Sequence, residues 1–267
     1  MGAADDREAA ERATGGGSAQ GRAPTAAVLV IGDEILSGAI REANAHFLAG
    51  RLAEVGIVLG EIRVVPDDHE RIVAAVRALA AAVDYVFTSG GIGPTHDDIT
   101  ADAVAAAFGR GIDVRDDARA LLMAHYGGAA INAARLRMAR IPDGARLIDN
   151  PVSAAPGFAL DNVFVMAGVP SIFRAMVESV LPGLQGGAAI ASRALEVMRA
   201  EGDIAATLGA LAAAHPAVSI GCYPFFRGRP GARVVLRAAD ADALAAAAAD
   251  TEAALAALPP ATEVRVL

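Results

Sequence analysis

The chain has 267 residues, with 23 basic and 31 acidic side chains and a formal net charge of −8 at pH 7. Every basic residue is arginine, and this lack of lysine excludes Schiff-base catalysis and a P-loop lysine; the single cysteine, Cys222, excludes internal disulfides and cysteine-based zinc sites. The acidic balance argues against general nucleic-acid binding. The mean hydropathy of +0.41 comes from alanine, about a quarter of the chain, and no uncharged apolar run approaches the roughly 20 residues of a membrane span.

Residues 1–23 are polar, acidic and rich in Gly and Ala, without the apolar stretch of a secretion signal. They are expected to be a disordered tail on a cytoplasmic protein. The apolar run 26–31, ending at Gly32, predicts a strand buried on both faces. Ile40, Phe47, Leu48, Leu52 and Val55 follow at helical spacings, with Gly56 closing the helix. Residues 57–65 predict a second strand stopped by Pro66, and Ile72, Val73, Val76 and Leu79 a further helix. A third strand is expected at 85–88, before the loop 89–95. Val104 and Phe108 mark a helix ended by Gly109. Residues 163–166 predict a fourth strand, and Phe173, Met176 and Val177 the helix after it.

This alternation implies an α/β fold: a mostly parallel sheet covered on both faces, in three α/β/α layers, over residues 24–184. A second unit, 185–267, starts after Pro182-Gly183. Its predicted order is a strand at 188–198, a helix at 201–214, strands at 217–223 and 232–238, a helix at 240–258 and a strand at 262–267. That β-α-β-β-α-β order predicts a small α+β module with an antiparallel sheet. Its polar residues form no evident cluster in the sequence. Residues 223–230 read as a hairpin loop, whose Arg227 and Arg229 are solvated charges or ligand contacts, and Cys222 reads as a buried thiol.

Parallel α/β sheets bind ligands at the carboxyl ends of their strands. The four expected strands are followed by Gly32-Asp33-Glu34, by Pro66-Asp67-Asp68, by the Gly-rich loop with His96-Asp97-Asp98-Ile99-Thr100, and by Gly168-Val169-Pro170. Each piece has a plain structural reading: Gly90, Gly91 and Gly93 as a tight turn, Asp97, Asp98 and Thr100 as helix caps, the other acids as solvated turn residues. Converging on one edge, they instead describe a site, with glycine amides facing a phosphate. Carboxylates beside an anion loop repel phosphate unless a divalent cation intervenes, so metal dependence is expected from charge balance. His96 reads equally as a ligand contact or a solvent-facing residue. Asn44 falls on the apolar stripe of the first helix, where its amide needs partners: a ligand, the Gly-rich loop or a buried backbone group.

These residues together resemble the molybdopterin-binding domain family typified by MoaB, MogA and gephyrin. Within it they are most similar to the CinA N-terminal (competence/damage-inducible) group and the molybdopterin-binding-like domain of FAD synthases. The most specific part is 88–100, which resembles T-G-G-L-G-P-T-x-D-D-x-T. Residues 32–38 followed by Asn44 resemble G-D-E-I-L-x-G…N, and Asp67, Asn150-Pro151, Ala155-Pro156-Gly157 and Gly168-Val169-Pro170 resemble further landmarks. Ser89 departs from a usual glycine and Ala167 from a usual proline, and Ser171-Ile172 stand where an acidic residue often follows.

The resemblance implies a ligand that is a pterin or nucleotide carrying phosphate. It implies a hydrolase, a metal-dependent pyrophosphatase of ADP-ribose- or FAD-like dinucleotides, or alternatively a molybdopterin-binding protein of cofactor assembly without turnover. Asp67, Asp97 and Asp98 would be catalytic and hold Mg²⁺, Mn²⁺ or Co²⁺. Gly32, Asp33, Glu34, Gly38, Asn44, Gly90, Gly91, Gly93, Pro94, Thr95, Thr100, Gly168 and Pro170 would bind the ligand. Homo-oligomers are expected; nucleic-acid and membrane partners, and the amidohydrolase and FAD-synthesising activities of larger relatives, are not.

Overall fold

A computed structural model describes residues 22–127, 131–259 and 264–267. In chain order the described elements begin with β1 (Thr25–Ile31), α1 (Asp33–Leu36), α2 (Asn44–Glu54), β2 (Val58–Val65), α3 (His69–Ala82), β3 (Tyr85–Ser89) and α4 (Thr100–Ala107). Next come β4 (Ile112–Val114), α5 (Asp116–Tyr126), α6 (Ala133–Arg137), β5 (Arg140–Pro142), β6 (Arg146–Ile148), β7 (Gly157–Leu160), β8 (Val163–Met166) and α7 (Pro170–Val180). The last group is β9 (Ala191–Val197), α8 (Glu201–Ala214), β10 (Ser219–Phe226), β11 (Pro230–Ala238), α9 (Ala241–Ala256) and β12 (Val264–Val266).

The main sheet has the order β2-β1-β3-β8-β7-β6, with β2, β1, β3 and β8 mutually parallel and β7 antiparallel to both neighbours. From Ala26 to Ile31 strand β1 is apolar because both its faces are covered. Leu29 and Ile31 meet Ile72, Val76 and Leu79 of α3 and Val104 of α4. Val28 and Val30 meet Leu48 and Leu52 of α2 and Phe173, Met176 and Val177 of α7. The result is the three-layer α/β/α arrangement. The chain leaves β1 for β2 on one side and returns to β3 on the other, so the strand order reverses at the carboxyl ends of β1 and β3. A crevice opens at such a switch point.

The second module folds as four antiparallel strands in the order β10-β11-β9-β12, with α8 and α9 packed on one face around Leu195, Val197, Ile204, Val234, Leu236 and Leu244.

Four expectations change. The first long helix starts at Asn44, so Ile40 lies in the preceding loop and is exposed. Glu42 Oε1 accepts the Asn44 and Ala45 amides at 2.6 and 2.8 Å, which fixes the start there. Residues 223–226 continue β10 and Pro230 opens β11, so the expected loop shrinks to 227–229. Cys222 is half-buried rather than enclosed, with burial pushing its thiol pKa up. Arg22, expected in the tail, donates to Asp84 at 2.9 Å and to Thr25 at 3.1 Å. The rest of that tail, 1–21, and positions 262–263 of the last expected strand lie outside the described residues.

Candidate functional site

The crevice between the ends of β1 and β3 is a pocket of about 630 Å³, within the usual range for small-ligand sites. Gly32, Glu34, Asn44, Asp67, Gly90, Gly91, Gly93, Pro94, Asp97, Asp98, Gly168 and Pro170 all line it. Loops after four strands therefore meet as the parallel order requires. Ile35, Ile40, Ile92, Met138, Val169, Ile172 and the Tyr126 ring give it apolar walls.

The Gly-rich loop is held from beneath. Gly90 (φ 111°) passes over the Ile31 carbonyl, and Gly91 (φ 69°) over the Thr100 hydroxyl; a Cβ at either position would collide. Thr100 is fully buried and donates from Oγ1 to the Gly90 carbonyl at 3.0 Å, while its amide donates to Gly91 O at 3.0 Å. Gly168 abuts Gly90 across the loops after β8 and β3. Asn44, at the start of α2, joins both loops: its Nδ2 donates to Ser89 Oγ at 2.8 Å and to Gly168 O at 2.7 Å. Because the Gly168 carbonyl can only accept, the amide orientation is fixed. Asn44 Oδ1 is left buried with no donor among the described residues.

The amides of Gly91, Ile92 and Gly93 have no acceptor among the described residues. Their neighbours are occupied: Gly90 N–H donates to Met166 O at 3.2 Å, and both the amide and the hydroxyl of Thr95 donate to Asp98 Oδ2. The amide cradle is thus narrower than the Gly-rich loop as a whole.

Four expected ligand-binding residues stand off the pocket lining. Thr100 is enclosed under the loop and supports it. Thr95 spends its donors on Asp98. Gly38 (φ 76°) makes a turn in the 37–43 loop with open space around it. Asp33 faces solvent, and its amide donates to Asp67 Oδ2 at 3.0 Å.

The carboxylates divide by role. Asp68 caps α3, accepting the Arg71 amide at 2.9 Å, which leaves Asp67 on the pocket side. Asp97 and Asp98 do not cap α4, whose N-cap is Ile99. Burial pushes the Asp67 pKa above its ordinary value, and the like charges of Glu34, Asp33 and Asp97 add to this against the downward pull of the Asp33 amide. Asp97 moves the other way: the nearby Thr95 hydroxyl, its own backbone amide and His96 hold it below the ordinary range. His96 itself points into solvent.

Among the described residues no three His, Cys, Asp or Glu side chains gather closely enough to hold a metal ion. Asp67, Asp97 and Asp98 therefore form no closed cage, and Asp98 is engaged within the loop. The donors do suit a hard cation that keeps most of its waters, and positive charge there would offset the burial and like charges that raise the Asp67 pKa.

Lining residues without a sequence signal include Tyr126, Met138, Glu42 and Arg41, the last the only cationic side chain in the lining among the described residues. Asn150 was legible only as part of an Asn-Pro turn. Its side chain donates to Ser153 Oγ and Ala155 O at 2.8 Å and shapes the wall at 150–155.

A three-layer α/β/α domain with a glycine loop and a ligand pocket at the sheet's switch point defines the class. Residues 27–186 match the family described as probable molybdopterin binding domain, and residues 189–262 match the FAD synthase middle domain. The chain belongs to the molybdopterin-binding-domain family, followed by a FAD synthase middle domain.

It is 32% identical over 197 residues to a protein of Archaeoglobus fulgidus, covering 74% of this chain and 84% of that one. It is 41% identical over 167 residues to a CinA-like protein of Citrifermentans bemidjiense, spanning 60% of this chain and 40% of that longer protein. The crystal structure of the protein CinA, of unknown function, from Thermoplasma acidophilum superposes with a TM-score of 0.57 at 36% identity, covering 60% of this chain and 98% of that one. No helix among the described residues is long and apolar enough to cross a membrane.

Proposed function

We propose that the pocket binds a phosphate-bearing pterin or nucleotide and hydrolyses a pyrophosphate linkage in ligands of the ADP-ribose or FAD type. The observation that carries this reading is the juxtaposition of the three open amides of Gly91, Ile92 and Gly93 with Asp67 and Asp97 in one cavity. Amides in a glycine loop bind phosphate oxygens. The apolar walls suit a planar ring system. The donorless Asn44 Oδ1 suits a ring N–H, which pterins and flavins carry, or the exocyclic amino group of adenine.

Two of the pocket's carboxylates, Asp67 and Asp97, are tuned apart, and such a split suits an acid–base pair. Asp67, with its raised pKa, takes the proton from the attacking water. Asp97 stays ionised and offers its charge to the cation accompanying the phosphates, Mg²⁺, Mn²⁺ or Co²⁺. When bound, that cation would neutralise phosphate charge and favour the leaving group. The Gly91–Gly93 amides orient the phosphate, and Ile40 and Val169 keep bulk water from its ring end.

The test is release of AMP from ADP-ribose and FAD by metal-stripped protein with each cation added back. Cation-dependent release that falls by about 10²–10⁴-fold in Asp67→Asn supports the reading. Binding of the dinucleotide without release under any cation would instead leave a binding protein of the molybdopterin-handling kind. Asp98→Ala is a poor discriminator, because losing the Thr95 contacts disturbs the loop whatever the chemistry.

A further inference from the structure

Strand register in the second module assembles a charged face that the linear sequence conceals. The face of the β10-β11-β9-β12 sheet opposite α8 and α9 carries Arg233, Arg237 and Arg265, with Arg227 reaching over it from the turn. Their only carboxylate among the described residues is Glu196, which sits across the ladders from both Arg233 and Arg265. Glu196 is buried and receives Arg227 at 2.9 Å and Arg233 at 2.7 Å. Four arginines against one glutamate leave a net +3 on this face of a −8 chain. The helices on the other side carry Glu201, Asp203, Asp242, Asp250 and Glu252 and no arginine.

Two aromatic rings lie on the same face, and two glycines let them lie flat. The Tyr223 ring runs over Gly221, its phenol oxygen 3.1 Å and its ring carbons 3.2–3.4 Å from where a Cβ would stand, and the Phe225 ring covers Gly231 on the neighbouring strand. Tyr223 is 49% exposed, Arg237 approaches its hydroxyl, and the Arg227 guanidinium stacks 4.6 Å above Phe225.

We propose that this face binds single-stranded nucleic acid, with bases stacking on Tyr223 and beside the Arg227–Phe225 pair, and phosphates running along Arg233, Arg237 and Arg265. Flat rings in a field of arginines are the physical requirements for strand binding without sequence preference. An acidic protein partner would answer the charge but leave the rings unused, and a duplex hides the base faces they would stack on. Net charge alone pointed the other way because it averages the acidic helix layer with this sheet; distribution, not sum, makes an electrostatic footprint. The proposal is independent of the pocket reading.

The test is fluorescence anisotropy of the whole chain with a labelled single strand of about twelve nucleotides, and with the matching duplex, across a salt series. Binding of the single strand is expected at low salt, weakening as salt rises. Tyr223→Ser should weaken it about fivefold or more, the loss of one stacked base. Arg237→Gln and Arg265→Gln, on different strands and both exposed, should each weaken it and flatten the salt slope by about 0.7 for a lost phosphate contact, with Tm unchanged. No binding at low salt, equal binding of the duplex, or affinity unaltered in all three variants would overturn the proposal.

Discussion

At Asp67 a single side chain links stability to chemistry. The folded state holds its pKa above the ordinary carboxylate value, so its ionisation at neutral pH costs stability. Asp67→Asn keeps an oxygen for the Asp33 amide and removes that cost. The variant is expected to have a higher Tm than the parent at pH 7, a gain that shrinks as pH falls through the raised pKa and vanishes below the ordinary carboxylate range. Thermal melts of both proteins from pH 7 to pH 3 read this directly. In turnover, the acid limb of the pH–rate profile should have its midpoint above the ordinary carboxylate range, because the base works only when ionised. Thr100 has the opposite character, silent in chemistry and structural in effect. Thr100→Val strands the buried Gly90 carbonyl and should lower stability by about 1–3 kcal/mol in denaturant unfolding.

Among the elements, those announced by a long apolar period were legible. The existence of β1 and β3, the extent of α8 and the Gly56 stop after α2 all follow from patterns confined to their own residues. The start of α2 was not, because it depends on a Glu42 side chain turning back to cap it, and a period of apolar residues contains no such information. The 110–162 stretch carried no readable elements: β4, β5 and β6 are three residues each, too short to establish alternation, and their pairing is non-local. Asp67-Asp68 illustrates the same limit in the site. Two adjacent acids look equivalent in sequence, yet helix entry assigns Asp68 to the α3 cap and Asp67 to the pocket. Asp68→Ala is accordingly expected to cost about 1 kcal/mol of stability through the lost cap, with AMP release unaffected; a fall in turnover as large as that of Asp67→Asn would reject this division of labour.

For the molecule as a whole, the alternation of strands and helices implied the switch point, and the switch point implied where the glycines and carboxylates would meet. That convergence was legible because parallel topology forces it. The depth of the pocket, the Arg41 and Tyr126 walls and the engagement of Asp98 by Thr95 were not, since they depend on side-chain directions in loops. The arginine face of the second module was hidden for the same reason, its residues being scattered over the turn at 227–229, β11 and β12 until the ladders align them.

If the amides of Gly91, Ile92 and Gly93 are the phosphate-binding element of the pocket, a titration of isotope-labelled Asp67→Asn protein with ADP-ribose and Mg²⁺, followed through the backbone amide resonances, will report it. These three amides and the Asn44 side-chain amide are expected to shift together and to saturate at one ligand per chain. Saturable binding that leaves those three amides unmoved would contradict it.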